Sequence, residues 1–406
     1  MITDTRTAPR SRTAHYRATA TFVCALATAA FVQPAKAADA VAYQMDIAHD
    51  GNTTMAGDFS APLKRRWVRN LEGMVSYPLI AKGMVFVTVA DTTNEGVQFY
   101  ALSLKTGETI WHKFVGGHYR WANAAYDDGR VFLLDSDGML QAFMADNSGK
   151  HLWTTALPRR QSSAPPVAVH GLVYADGSYF GSTLYAVDEQ TGQIVWARLN
   201  IAGSSGVAVG DHGIYATYGC NFYKYEPLSG VAIWKKHNDC SGGSDGNNPA
   251  YYRKHLYFSN FGHGGYILDA TDGHIVGPYL NNDIVDKFTP ALWTSPTGGI
   301  VGFALNGDGL FSFDGKTGAP GWTFSDNGQV TVSPIVLNNL VVVGSNSGML
   351  YMLDAATGKQ VSATKVGAPI TTPFAGTLFN APNTGFAASA GVLVVPASNV
   401  LVAYDP

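Results

Sequence analysis

The chain is poor in cysteine, with three in 406 residues, and poor in charge, with Asp, Glu, Lys and Arg together at 14%. So few cysteines exclude a disulfide-dense small scaffold, and none is spaced as a zinc ligand. No cluster of Lys and Arg occurs, which argues against a nucleic-acid partner. No stretch after residue 37 reads as a long helix. The apolar run from Ala18 to Val32 is too short for a comfortable membrane span, so no transmembrane segment is expected in the mature chain.

That run has another use. Arg6, Arg10, Arg12 and Arg17 precede it, and Ala35-Lys36-Ala37 follows with small residues where a signal peptidase reads. Residues 1–37 are therefore expected to be a cleaved export signal and the protein to be periplasmic or secreted. Cys24 lies inside the run, after Phe22 and Val23, which argues against a lipid-anchored cysteine. The segment holds five of the 27 Lys and Arg and one of the 30 Asp and Glu, leaving 22 against 29, a formal charge of −7. Cys220 and Cys240 remain. In an oxidising compartment one structural disulfide between them is the default expectation.

What the chain does have is a recurring phrase. An apolar run, a polar residue, a turn glycine and a last strand often carrying Trp appear in Tyr100 to Trp111 (YALSLKTGETIW), Phe143 to Trp153, Tyr185 to Trp196 and Tyr225 to Trp234. Weaker copies run Ile267 to Val276, Phe313 to Trp322 and Met352 to Val361. A period near forty residues, rich in β-branched and aromatic residues, marks propeller blades. Turn glycines stand at 107, 149, 192, 230, 273, 318 and 358, and Leu401 to Asp405 begins an eighth copy that stops before its turn. Leu63 to Asn70, with Trp67 in the tryptophan slot, supplies the missing strand. The expectation is an all-β, eight-bladed propeller of four-stranded antiparallel blades. The N-terminal strand joins the C-terminal blade, with residues 38–62 as an N-terminal extension and 63–406 as one propeller domain.

Small polar residues followed by proline mark where innermost strands should start: Ser76-Tyr77-Pro78, Ala164-Pro165, Asn248-Pro249, Thr289-Pro290, Ser333-Pro334 and Thr372-Pro373. The tryptophans 111, 153, 196, 234 and 322 are expected to pack between blades.

The phrase Ala186 to Trp196 (AVDEQTGQIVW) resembles the repeat of the quinoprotein alcohol dehydrogenase superfamily, over nearly all of residues 60–406. That resemblance implies either quinone-dependent dehydrogenase chemistry, with PQQ and calcium as cofactors, or the non-enzymatic role of the outer-membrane assembly propellers. Neither branch's marks are complete. The two cysteines are twenty residues apart, where methanol-oxidising relatives join adjacent cysteines over the quinone, and C-x-x-C-H is absent.

Strands alternate in direction across a blade, so loops joining second to third strands share a face with loops joining one blade to the next. Cys220 and Cys240 fall on that face of one blade, and a bridge would pin the loop 238–248 over it. Two readings stand for this loop: a cation site using Asp239, Asp245, Asn247 and Asn248, or a glycine-rich turn whose Asx side chains cap their own backbone. The second is favoured, because the spacing matches no ordered calcium loop. His118, Arg120, Trp121, His263 and Lys287 share the face and are the candidates for a central funnel that binds an anionic or aromatic small molecule. Taken singly, each reads as a solvated loop side chain. Asp245 or Asp286 would serve as a quinone enzyme's base without any motif to single them out. Three functions follow in order: an exported non-catalytic scaffold for a cell-envelope protein, a quinone- and calcium-dependent oxidoreductase, and a cofactor-free enzyme using the funnel.

Overall fold

Every repeat folds into four antiparallel strands, and burial decides the composition of each. Second strands such as Met84–Ala90 (MVFVTVA) are apolar but for Thr88 and fully buried, because a neighbouring sheet covers each face. Outer strands such as Thr109–Val115 alternate exposed and buried side chains, as a half-solvated surface requires. A computed structural model describes residues 38–60, 62–158, 164–177, 183–199, 205–218, 220–238, 248–260, 264–280, 288–307, 309–327, 329–371 and 383–406. No helix occurs among these described residues. They form eight sheets, blades one to eight, whose innermost strands begin at Leu79, Ala122, Val167, Ala208, Ala250, Ala291, Ile335 and Ala387.

The ring closes as the repeat count requires. Lys64–Asn70 pairs antiparallel with Val400–Asp405, setting Trp67 opposite Ala403 and Asn70 opposite Val400. Across the seam, Tyr77 N–H donates to the Asn383 carbonyl at 2.7 Å and Val75 N–H to Ser398 at 2.9 Å. One expected strand start is corrected. The innermost strand of blade eight is Ala387–Ser389, so Thr372-Pro373 does not open it. The connection from blade seven is longer than in the other repeats, and residues 372–382 lie outside the described residues.

Blades are joined by a repeated clasp. The indole N–H of Trp67, Trp111, Trp153, Trp196, Trp234 and Trp322 each donates to a carbonyl in the turn of the following blade, at 2.8 to 3.3 Å. The ring lies flat on that turn's glycine. A Cβ on Gly107, Gly149, Gly192, Gly230, Gly273 or Gly358 would stand within 2.8 Å of the indole, and each has positive φ. The polar residue before the turn holds it from below: Asp188, Asp314 and Asp354 each accept from the N–H and hydroxyl of the threonine three residues on. The five tryptophans expected between blades all sit there, and Trp67 makes a sixth.

The segment after residue 37 is more than an appendage. From Ala40 to Thr53 it circles the end of the ring where first strands turn into second strands. Ala40 exchanges two bonds with Ile80 of blade one, and Val41 accepts from Tyr126 of blade two. Ile47, Ala48, Asp50 and Gly51 then accept from Val209, Tyr251, Leu292 and Val336 of blades four to seven, at 2.7 to 2.8 Å. Asn52–Thr53 adds a parallel strand to blade seven, and the Met45 sulfur accepts from Ala388 N–H of blade eight at 3.3 Å. This strap satisfies inner-edge amides that would otherwise face the axis unpaired.

The clasp makes a direct prediction. Gly192→Ala, whose added methyl meets the Trp153 ring at a backbone φ of +73°, should destabilise the fold. Trp153→Ala should cost about 3–5 kcal/mol. Urea denaturation of both variants checks this, and unchanged midpoints would refute the clasp's role.

Candidate functional site

On the face formed by blade-to-blade connections, the loop 116–121 is stitched to the turn 135–138 of blade two. His118 N–H donates to Asp137 Oδ1 at 3.2 Å, its ring Nδ1 lies 3.5 Å from Asp137 Oδ2, and Tyr119 N–H donates to Ser136 Oγ at 3.1 Å. These bonds bring together the two loop classes expected to share a face. His118 is exposed, and its imidazole already has an acidic neighbour. Arg120 is half-buried; its charge adds a small part to what holds the Asp91 carboxyl below its ordinary range, after the Asn94 N–H and the Gln98 amide.

Trp121 departs from expectation. It is 5% exposed, so it packs in the wall instead of offering an open stacking platform, and its indole N–H has no acceptor among the described residues. Beside this loop, burial pushes the Asp135 carboxyl up to about 6, opposed by the N–H groups of Met139 and Asp137.

Asn248 is also spent on structure. Its Oδ1 accepts Gly206 N–H from blade four, and its carbonyl accepts the Thr289 hydroxyl at 3.1 Å from blade six. Asn248 thus ties blade four to blade six. Asp239, Asp245, Asn247, His263, Asp286, Lys287 and Cys240 lie outside the described residues. Cys220 is buried, and its carbonyl accepts Asn238 N–H at 2.8 Å, which seats the base of the 238–248 loop beside it. Among the described residues, one group of three His and Asp side chains lies close enough to share an ion: Asp269, Asp272 and His274. It belongs to a turn at the opposite end of blade five, and His274 Nδ1 already contacts Asp272 at 2.7 Å.

That opposite face is closed at its centre by the strap. Tyr43 hydrogen-bonds Ser333 at 3.0 Å, and Gln44 Nε2 donates to the carbonyls of Thr289 and Pro334. His49 is fully buried edge-on to Tyr43, and burial holds its imidazole down at about 4, hence neutral at pH 7. Gln44, Met45 and His49 all have positive φ, a strained trio that the surrounding bonds must hold.

Outward from the strap, a groove of about 620 Å³ runs between blades three and four over Ile47, Val209, Tyr174 and Leu228, with His170 and His212 on its lip. Beyond it the rim is apolar. Of eleven exposed large apolar side chains among the described residues, eight belong to blades three to five, among them Val195, Leu228 at 65% exposed, Val231, Ile233 and Val276. Most flank the turns between third and outer strands on this face, so the groove and rim adjoin. The sequence signal was present: Ile194-Val195, Val231 and Ile275-Val276 follow turn glycines where an outward polar residue would be ordinary. Nothing in the residues of the strap announces its path.

An eight-bladed propeller with indole clasps and a strap defines the architectural class. The chain belongs to the PQQ-repeat family described as outer membrane protein assembly factor BamB, whose profile matches residues 60–181, 99–236 and 180–405. Among curated proteins it is 25% identical over 307 residues to a tetrathionate hydrolase of Acidithiobacillus ferrooxidans, covering 70% of this chain and 56% of that one. It is 24% identical over 226 residues to the assembly factor BamB of Shewanella oneidensis, covering 50% and 53%. The chain thus spans about half the length of these curated relatives. A quinohemoprotein alcohol dehydrogenase from Comamonas testosteroni superposes with a TM-score of 0.71 at 14% identity, covering 90% of this chain and 80% of that structure, a likeness of fold alone.

The buried imidazole gives a pH prediction. His49 has a folded pKa below its unfolded value of 6.5, so its contribution to stability is present above 6.5 and is lost as pH falls toward 4. Replacing it with Gln should flatten the fall in melting temperature over that window, measured against the parent protein by calorimetry. Parallel curves would refute the assignment.

Proposed function

We propose that this protein is an exported propeller that acts as a non-catalytic binding scaffold in the cell envelope, with a protein partner seated on the rim of blades three to five. The observation that carries this reading is the concentration of exposed apolar side chains beside the groove. Apolar surface gathered on adjacent elements marks an interaction site where scattered residues would not. The named role of the BamB relatives, assembly at the outer membrane, supports a protein partner. At the channel mouth, Trp121 and Asn248 serve packing, which leaves less there for a ligand.

Export would follow from residues 1–37 acting as a cleaved leader. In an oxidising compartment the Cys220–Cys240 bridge would pin the 238–248 loop and stabilise the fold by about 2–3 kcal/mol. Reduction should lower the melting temperature accordingly, and an unchanged melt would argue against the bridge.

The scaffold itself is tested by photocrosslinking in cells. A crosslinker at Leu228 or Ile233 should capture one identified envelope protein, while the same probe at Val361 of blade seven should not. Ile233→Asp should abolish the complex without changing the melt. Equal capture at both places would refute the proposal.

A second reading, a small-molecule enzyme at the central mouth, draws on Asp135, a buried carboxyl raised to about 6 and paired in register with Ala122 next to Trp121, and on the hydrolase relative. His118, Arg120, His263 and Lys287 would then bind the substrate. In the quinone version, adding PQQ and calcium to the purified protein would produce the bound quinone's visible absorption. Its absence would remove that version.

A further inference from the structure

The carbonyl that receives an indole belongs to Leu104, Pro227, Ala270 and Ala355 in four blades and to the exposed Asp146 in blade two. In blade three it belongs to Glu189. This carboxyl is 2% exposed, and its Oε1 has no hydrogen-bond partner. Its one side-chain partner is another acid, Asp127, from the turn of blade two. A buried acid facing a second acid is costly unless a proton joins them.

We propose that Glu189 donates its carboxyl hydrogen to Asp127 across the interface of blades two and three, as a proton-operated latch beneath one lip of the groove. The mechanical link is short. Glu189 N–H donates at 3.0 Å to the carbonyl of Gly171, which with His170 forms the turn at that lip. The same residue's carbonyl accepts the Trp153 indole, so the latch and the blade clasp share one backbone unit.

The other charges around the pair offset its cost without removing it. From blade two, Asp128 adds to the repulsion and Arg130 opposes it, but the guanidinium is already engaged by the Asp128 carbonyl at 3.1 Å and carboxylate at 3.3 Å. On blade three, the adjacent Asp188 is held ionised by Thr191, and Tyr174 feels both Glu189 and Glu226 of blade four. His170 is the remaining titratable neighbour, exposed on the turn itself. Burial first, then Asp127, raises the Glu189 carboxyl from 4.5 to about 8.

The sign follows directly. Between about 4.5 and 8 the folded protein holds a proton that the unfolded chain releases, so stability falls as pH rises through this window. The loss is complete above 8, where the buried Glu189 carboxylate faces the half-buried Asp127. The limit is about tenfold in the folding equilibrium constant per pH unit.

The test compares melting temperatures of the parent protein, Glu189→Gln and Glu189→Leu from pH 5.5 to 9. Glu189→Gln keeps a donor toward Asp127, and Glu189→Leu places there the residue that blade one carries at Leu104. Both variants should gain on the parent as pH rises, and each should exceed it at pH 9. A difference independent of pH in both variants would overturn the latch. Its effect on docking rests on the scaffold reading and is measured separately, by crosslinking from Leu228 at pH 6 and pH 9. Weaker capture at pH 9 in the parent alone supports control of the groove. Equal capture at both values refutes that control while leaving the scaffold intact, and no capture at either refutes the scaffold while leaving the melting test of the latch decisive.

Discussion

The indole laid on the next blade's turn glycine is the contact on which the ring depends. Within a blade, backbone hydrogen bonds hold strands together, whereas between blades side chains make the junction, joined at the seam by backbone bonds such as that from Tyr77 to Asn383. The clasp gives six of the eight junctions a large apolar contact and one directed hydrogen bond at the wide outer part of the wedge, where small residues would leave a gap. It is missing from the outer strands of blades five and seven, and at blade five the Pro278 backbone takes the indole's place against Gly318. Closure through Trp67 and the strand Lys64–Asn70 then turns eight junctions into one cyclic structure.

The strap changes what that ring can present. A propeller's inner edges converge on an axis, and here one end of the axis is bound by a segment that touches nearly every blade through backbone bonds. Such bonds use no particular side chain. Side-chain identity matters at only a few strap positions, notably Tyr43, Gln44 and His49, where burial keeps the imidazole neutral. The closed end leaves the rim and the groove beside Ile47 as the available surface on that face. This is why the apolar band of blades three to five carries more weight than any single polar residue at the opposite mouth.

Departures from the repeat locate individuality. Of the six residues that receive an indole, four are apolar, Asp146 is exposed and Glu189 is buried; most outer strands keep exposed positions polar, while blades three to five do not. Both departures lie close to the same groove. A repeat protein offers its own internal comparison, so a substitution in one unit can be weighed against its siblings under nearly identical packing.

The amino-acid sequence by itself determined the sheet content, the number of blades, the seam and the indole positions, because each follows from a short local pattern repeated many times. Even so, Thr372-Pro373 misplaced the last inner strand, since a polar-proline pair marks a possible start and only pairing decides the actual one. Tertiary structure alone decided the course of residues 40–53, the burial of Trp121, the use of Asn248 between blades and the meeting of Glu189 with Asp127. Those outcomes depend on which distant backbone arrives beside a residue. Backbone hydrogen bonds and burial leave no periodic trace in the residues that make them.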